Sequence, residues 1–210
     1  MAIIGVSGKA RSGKNTFAEM LAEELHRKTG KVYILMAYAD ELKKMAQREF
    51  DLSWDQLWGE EKEKEDKRYL RQPKYVGGVR SDSTEFPSPY WTGREIMQQL
   101  GGFYRSIDNN FWVKKLFKSI DEKEYENVII TDVRYPNEVD PIVERNGLHL
   151  RIERPLADKI HGLEHASETS LDKPYKVDFS VINQWTLNEL RKTAIELVSV
   201  IAELNNRRIK

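Results

Sequence analysis

Cysteine is absent from the 210 residues, and with it go disulfide frameworks, thiolate nucleophiles and cysteine-based zinc sites. Such a composition suits a reducing compartment. Net charge is absent too, because 34 Lys and Arg balance 34 Asp and Glu. A chain that coats nucleic acid carries a basic excess or a basic stripe, so the balance argues against that partner. It leaves room for a basic pocket that takes a small phosphorylated molecule. No apolar run approaches the roughly eighteen residues of a membrane span, and glycines and charges soon interrupt the apolar N-terminus. The expectation is a soluble, cytoplasmic protein with no membrane partner and no signal segment. Internal repeats and long low-complexity tracts are also missing. The length suits one α/β domain, or a core domain carrying insertions.

What is present is an alternation of apolar runs and helical patterns. Ala2-Ile3-Ile4-Gly5-Val6 reads as a buried parallel strand. Asn15 to Lys28 follows as a helix with Phe17, Leu21 and Leu25 on one face, stopped by Gly30. Further strands are expected at Val32–Ala37, Asn127–Thr131, Leu148–Ile152 and Val177–Ile182. Helices are expected at Asp40–Phe50, Thr92–Tyr104, Asn110–Ile120, Asn137–Arg145 and Thr186–Asn205. The alternation predicts a mostly parallel sheet with helices on both faces, whose ligands sit beyond the carboxyl ends of the strands. Gly8, Asp40, Asp132 and Arg154 fall at those ends. The stretch from Asp51 to Tyr90, with its charged run from Glu60 to Lys67 and several prolines and glycines, reads as a surface excursion or a substrate flap. The terminal helix carries an apolar stripe, Leu187, Leu190, Ala194, Leu197, Val198 and Ile201, suited to core packing or to a dimer contact. Monomer and homodimer both stay open.

Gly8-Lys9-Ala10-Arg11-Ser12-Gly13-Lys14-Asn15-Thr16 carries the most specific signal. It follows a strand, opens a helix and has the glycine, four residues, glycine, lysine spacing of a Walker A phosphate loop. Glycines let backbone N–H groups wrap a phosphate, and the helix N-terminus adds positive potential. Gly8, Ser12, Gly13, Lys14, Asn15 and Thr16 are therefore candidates for ATP phosphates, with Lys14 the mobile cation for the β- and γ-phosphates. The residue after the lysine is Asn15, where a serine or threonine usually supplies a magnesium contact. Asn15, Thr16 or a water must take that part. Asp132, closing an apolar strand, is the candidate carboxylate for magnesium or its water. A strand-end aspartate also commonly caps a helix. Arg134, two residues on, is a candidate for charge on a transferring phosphoryl group.

Together with Thr131-Asp132-Val133-Arg134-Tyr135-Pro136-Asn137-Glu138, the loop resembles the bacteriophage-type deoxynucleoside monophosphate kinases. Arg94-Glu95-Ile96-Met97-Gln98-Gln99-Leu100-Gly101, the Asp108 to Val113 stretch and His165-Ala166-Ser167-Glu168 resemble the same family, in the expected order. In that family an aspartate often stands where this chain has Asn15. The resemblance implies a P-loop NTPase fold of the nucleoside monophosphate kinase type, a single kinase domain over 1–210. It implies an acceptor-binding insertion at 40–105 and a lid at 154–174. It implies transfer of the ATP γ-phosphate to a deoxynucleoside monophosphate, with Mg2+ accompanying ATP. Lys14, Arg11, Asp132 and Arg134 form the catalytic set on this reading. Lys43, Arg68 and Arg94 are candidates for the acceptor phosphate, Gln98 for the base edge or sugar, and Arg154 for closing onto ATP. His161, Glu164, His165 and Glu168 lack an evident fourth zinc ligand and read as a hydrogen-bonded loop. A cytoplasmic location becomes that of the host cell if the source is viral. The rival readings are another small P-loop kinase, with a phosphomevalonate- or dephospho-coenzyme A-type acceptor, and a non-catalytic nucleotide-binding regulator.

Overall fold

Ala2–Ser7 (β1) runs through the centre of a five-stranded sheet in the computed structural model. The structure describes residues 1–71, 74–76, 79–81, 88–154, 170–171, 173–184 and 186–208. The chain divides into two compact units, one formed by Met1–Ala39 with Trp112–Lys210 and the other by Asp40–Phe111.

In the first unit β1 leads into α1 (Lys14–Thr29) and β2 (Ile34–Met36). After the second unit come α5 (Phe111–Glu122), β7 (Asn127–Val133), α6 (Pro136–Glu144), β8 (Leu148–Glu153), β9 (Phe179–Ile182) and the terminal helix α7 (Leu187–Arg208). The strand order is β2-β7-β1-β8-β9, and every pairing is parallel. Parallel neighbours need crossovers, so apolar faces form on both sides of the sheet. Phe17, Leu21 and Leu25 of α1 pack with Leu190, Ala194, Val198 and Ile201 of α7 against one face. Val113, Leu116, Phe117 and Ile120 of α5 pack with Val139 and Ile142 of α6 against the other. Each of the buried Leu, Ile, Val and Phe side chains, removed from water, contributes about 1.5–3 kcal/mol. The α/β fold with a phosphate loop after the first strand is the expected one. Core packing also accounts for the α7 stripe except at Leu187, which is 64% exposed.

One irregularity positions chemistry. Gly5 pairs with Ile130 and Ser7 pairs with Val133, so β7 inserts one extra residue against β1 where Thr131 and Asp132 lie. A bulge of this kind bends the strand and re-aims a side chain. The strand therefore continues to Val133 beyond its expected end at Thr131.

The second unit contains most of α2 (Ala39–Phe50), then α3 (Trp54–Leu57), a single 3-10 turn at Glu61–Glu63, β3 (Glu65–Leu70), β4 (Lys74–Val76), β5 (Val79–Ser81), β6 (Tyr90–Thr92) and α4 (Gly93–Ile107). The pairs β3–β6 and β4–β5 are antiparallel. These strands begin in the stretch from Asp51 to Tyr90 that was expected to be a surface excursion or a substrate flap, for which no strand was expected. In β3, Glu-Asp-Lys-Arg-Tyr-Leu, the one buried residue is Asp66, so no apolar alternation announces the strand. Ala46, Leu52, Leu57 and Ile96 form a small separate core. Thr92 opens α4 with a reciprocal cap, its hydroxyl accepting from the Glu95 N–H while Glu95 accepts from the Thr92 N–H. The insertion expected at 40–105 falls within this unit. Of the expected lid at 154–174, residues 155–169 and 172 lie outside the described residues, and with them His161, Glu164, His165 and Glu168.

Candidate active site

The loop between β1 and α1 is shaped by positions that reject side chains. Gly8 has φ 145° and Gly13 φ 93°, both in the region that favours glycine. A Cβ on Gly8 would lie 2.3 Å from the Ile152 carbonyl oxygen, and one on Gly13 would lie 2.5 Å from Asn183 Nδ2. Arg11 also takes a left-handed conformation, φ 60°, at a cost of roughly 1–2 kcal/mol for a non-glycine residue.

Carbonyls along the loop are held by donors. Lys14 Nζ donates to Gly8 O at 2.7 Å and to Lys9 O at 2.6 Å. The Ser12 N–H donates to Lys9 O at 3.2 Å. Arg154 Nη1 lies 3.4 Å from Arg11 O, and Asn183 Nδ2 donates to Ser12 O at 2.9 Å. Lys14 is itself buried. Its ammonium therefore lies over the loop at the mouth of α1. The Ser12 side chain is 1% exposed, and its Oγ has no hydrogen-bond partner among the described residues. A buried, unbonded hydroxyl costs about 1–3 kcal/mol, a cost that an oxyanion accepting its proton in a hydrogen bond would relieve. Asn15 is exposed and Thr16 half-buried on the first turn of α1.

Asp132 sits beside this loop at the bulged end of β7. Its Oδ1 accepts from the Tyr38 N–H at 2.7 Å and its Oδ2 from the Ala39 N–H at 3.0 Å. The carboxylate thus caps the start of α2 from a different strand, where an anion is favourable. Each carboxylate oxygen can take a second partner, so the cap is compatible with a metal or its water. Oxygen donors from Asp132, Asn15 and Thr16 suit the hard, water-retaining Mg2+. Tyr38 is buried and its hydroxyl donates to Glu138 O at 2.7 Å. Burial, followed by the charges of Glu138 and Asp132, holds this phenol protonated well above its ordinary range.

Arg134 lies in the turn from β7 to α6. Glu138 Oε2 accepts from the Arg134 N–H at 2.7 Å and from the Tyr135 N–H at 3.1 Å, and Pro136 occupies the start of α6. Glu138, 3% exposed, therefore fixes the backbone that carries Arg134. Behind the loop, buried His149 places Nε2 2.7 Å from Ser7 Oγ and Nδ1 3.0 Å from Tyr175 O. Burial lowers its pKa, with opposing contributions from the Tyr175 and Lys176 carbonyls. The neutral ring then donates from Nδ1 to a carbonyl and accepts the Ser7 hydroxyl proton at Nε2.

In the second unit the four expected acceptor residues separate into two groups. Arg68 is committed to Asp66, with Nη2 2.7 Å from Oδ2, and to Asp51 at 3.1 Å. The guanidinium holds the Asp66 carboxyl far below the usual carboxylate range. Lys43 stands 5.5 Å from the centre of the Trp58 ring and makes no ion pair among the described residues. Arg94 pairs with Glu63. Gln98, one turn beyond Arg94 on α4, makes no side-chain hydrogen bond among the described residues. Lys62 joins this group although its place in a charged run concealed it. Burial first, then the charges of Lys43 and Arg94, lower its pKa against the opposing effect of Glu63. Lys43 and Arg94 thus both act on Lys62, with Glu63 opposing them.

Sequence comparison adds an independent line. The profile of the family described as deoxynucleotide monophosphate kinase matches residues 79–194. A protein of Acanthamoeba polyphaga mimivirus, provisionally named deoxynucleotide monophosphate kinase, is 29% identical over 217 aligned positions, covering 98% of this chain and 100% of its own. Among solved structures, a sugar kinase from Janibacter sp. HTCC2649 aligns with TM-score 0.44 at 13% identity, over 97% of this chain and 95% of that one. Dephospho-CoA kinase from Campylobacter jejuni aligns with TM-score 0.43 at 15% identity, over 95% and 96%.

Proposed function

The chain belongs to the deoxynucleotide monophosphate kinase family, and from that premise we propose that it transfers the γ-phosphate of ATP to a deoxynucleoside monophosphate. The products are ADP and the deoxynucleoside diphosphate. The observation that carries the reading is the phosphate loop, with buried Lys14 over the Gly8 and Lys9 carbonyls and Asp132 at the neighbouring strand end.

Phosphoryl transfer demands positioning and charge neutralisation more than covalent participation by the protein. The bond from the γ-phosphorus to the ADP oxygen breaks as a bond forms from an acceptor phosphate oxygen. That oxygen is already anionic near neutral pH, so no general base is needed. Lys14 and the amides of Gly13, Lys14 and Asn15 hold ATP phosphate oxygens, with the Ser12 hydroxyl as a further donor. Arg11, Arg134 and Arg154 supply positive charge to the transferring group. Mg2+, when bound with ATP, neutralises phosphate charge, and Asp132, Asn15 and Thr16 are the residues that would hold it or its waters. Lys43, Lys62 and Arg94 take the acceptor phosphate, and Gln98 offers a donor and an acceptor to the base or sugar. Arg68 serves this reading through the fold of the second unit, since Asp66 and Asp51 already occupy it.

The test is ADP release from Mg-ATP with dAMP, dCMP, dGMP, dTMP and the matching ribonucleotides in turn. Acceptor-dependent turnover supports the reading and reports base and sugar preference together. Silence across the panel while calorimetry still registers ATP binding would redirect the assignment to a different phosphorylated acceptor.

A further inference from the structure

We propose that Asn183 is a positioning residue for the nucleotide loop, holding the Ser12 carbonyl so that the Gly13 N–H points at the bound phosphate. The inference rests on the reading that this loop holds ATP, and it adds a residue from the far end of the chain to the site. Asn183 follows β9, more than 160 residues after the loop, and Nδ2 donates to Ser12 O across 2.9 Å.

The geometry of one peptide unit makes this contact consequential. In a trans peptide the carbonyl of one residue and the N–H of the next point in opposite directions, and the described chain has no cis peptide. A donor that captures the Ser12 carbonyl therefore also sets the direction of the Gly13 N–H. That N–H meets no acceptor among the described residues, unlike the N–H groups before it and one turn beyond it. The Ser12 N–H is taken by Lys9 O, and the Phe17 N–H by Gly13 O. The Gly13 N–H stands at the head of α1, where an anion is stabilised by the helix.

Asn183 is anchored well enough to act as a fixed point. Its own N–H donates to Glu153 O at 2.7 Å, continuing the β8–β9 ladder in which Glu153 pairs with Ile182. Val181, two residues before it, is buried in the core against the sheet. Contact with the loop is close, because a Cβ on Gly13 would come within 2.5 Å of Nδ2. An amide suits the position since the group facing it is a carbonyl. An aspartate of the same shape would set oxygen against oxygen and bring a negative charge to a loop that binds phosphate.

Full-length Asn183→Ala, Asn183→Asp and Asn183→Gln test the assignment by Mg-ADP calorimetry, steady-state kinetics and amide hydrogen exchange. Removing the donor should weaken Mg-ADP about tenfold, the scale of one hydrogen bond made in a pre-organised site. KM for ATP should rise with it while the acceptor KM stays as in the wild type. Asn183→Asp should lose more than Asn183→Ala, and Asn183→Gln should recover part of the loss. Exchange in the peptide over residues 8–16 should quicken while that over 127–133 is unchanged. Wild-type affinity together with unchanged loop exchange in Asn183→Ala overturns the proposal, as does exchange that quickens throughout the sheet. If wild-type protein binds no Mg-ADP, the ATP reading fails. The loop exchange still decides whether Asn183 holds Ser12.

Discussion

The nucleotide loop and the cationic region of the second unit both gather positive charge, but they are held by different forces. Around the loop the restraints are buried and backbone-directed. Ser12 and Lys14 are nearly inaccessible, and the carbonyls of Gly8, Lys9 and Ser12 are held by Lys14 and Asn183. In the second unit Arg68 and Arg94 are 48% and 43% exposed at their side chains, Arg68 held by the buried Asp66 carboxylate and Arg94 by the exposed Glu63. Buried hydrogen bonds hold geometry nearly independently of salt, whereas exposed pairs contribute little and are screened. The loop proposed for ATP is thus held by buried hydrogen bonds, while the region proposed for the acceptor is held by ion pairs at solvent-accessible arginines.

The largest test of the comparison is Lys14→Ala, expected to cut turnover by about 10²–10³-fold in the ADP-release assay. Substantial residual activity would show that the preformed loop is not where phosphate charge is stabilised.

Asp132→Ala comes next, because it removes the cap on the Tyr38 and Ala39 N–H groups as well as the candidate metal carboxylate. It should lose about 1–2 kcal/mol in urea unfolding together with most activity. Asp132→Asn keeps an amide oxygen as acceptor and should regain part of the stability with activity still low. Parallel recovery of both would reduce Asp132 to a helix cap.

Within the second unit Arg94→Ala should raise the acceptor KM about tenfold, the worth of a charged hydrogen bond, and leave the ATP KM alone. Arg68→Ala should behave in the opposite way, lowering the urea midpoint through the stranded Asp66 carboxylate and sparing the acceptor KM. An exchange of those phenotypes would mean that the acceptor displaces Asp66 from Arg68.

The smallest effect concerns His149. Its pKa is lowered in the fold relative to the ordinary 6.5, so the folded state binds fewer protons than the unfolded chain. The contribution is fully present above pH 6.5 and is lost as pH falls from there through the folded value. His149→Gln should flatten that acid-side decline in thermal unfolding. A decline of unchanged steepness would assign it to other groups.

Much of the first unit was legible because its signals are local and strong. The apolar runs at Ile3–Val6 and Val128–Ile130 are buried strands, and Phe17, Leu21 and Leu25 are the buried face of α1. Glycine, lysine spacing marked the loop, and its shape follows from positive φ at Gly8 and Gly13. The second unit was far less legible. β3 presents charges on both faces, and its strand character comes from pairing with β6 and from the Asp66 ion pair. Lys62 looked like one more charge in a solvated run until Lys43 and Arg94 were placed beside it. Arg68 and Arg94 look alike in sequence, and their carboxylate partners alone distinguish them.

In the first unit the order of strands and helices, the phosphate-loop spacing and the side chains that build the core were determined by the sequence itself, through periodicity and through residues with narrow conformational preferences. Tertiary structure alone decided that Asp132 caps α2 and that Asn183 meets Ser12. Those partners are separated by up to 171 residues in the case of Asn183. A hydrogen bond between positions so distant leaves no periodic trace, because only the parallel packing of strands brings their ends to the same edge of the sheet.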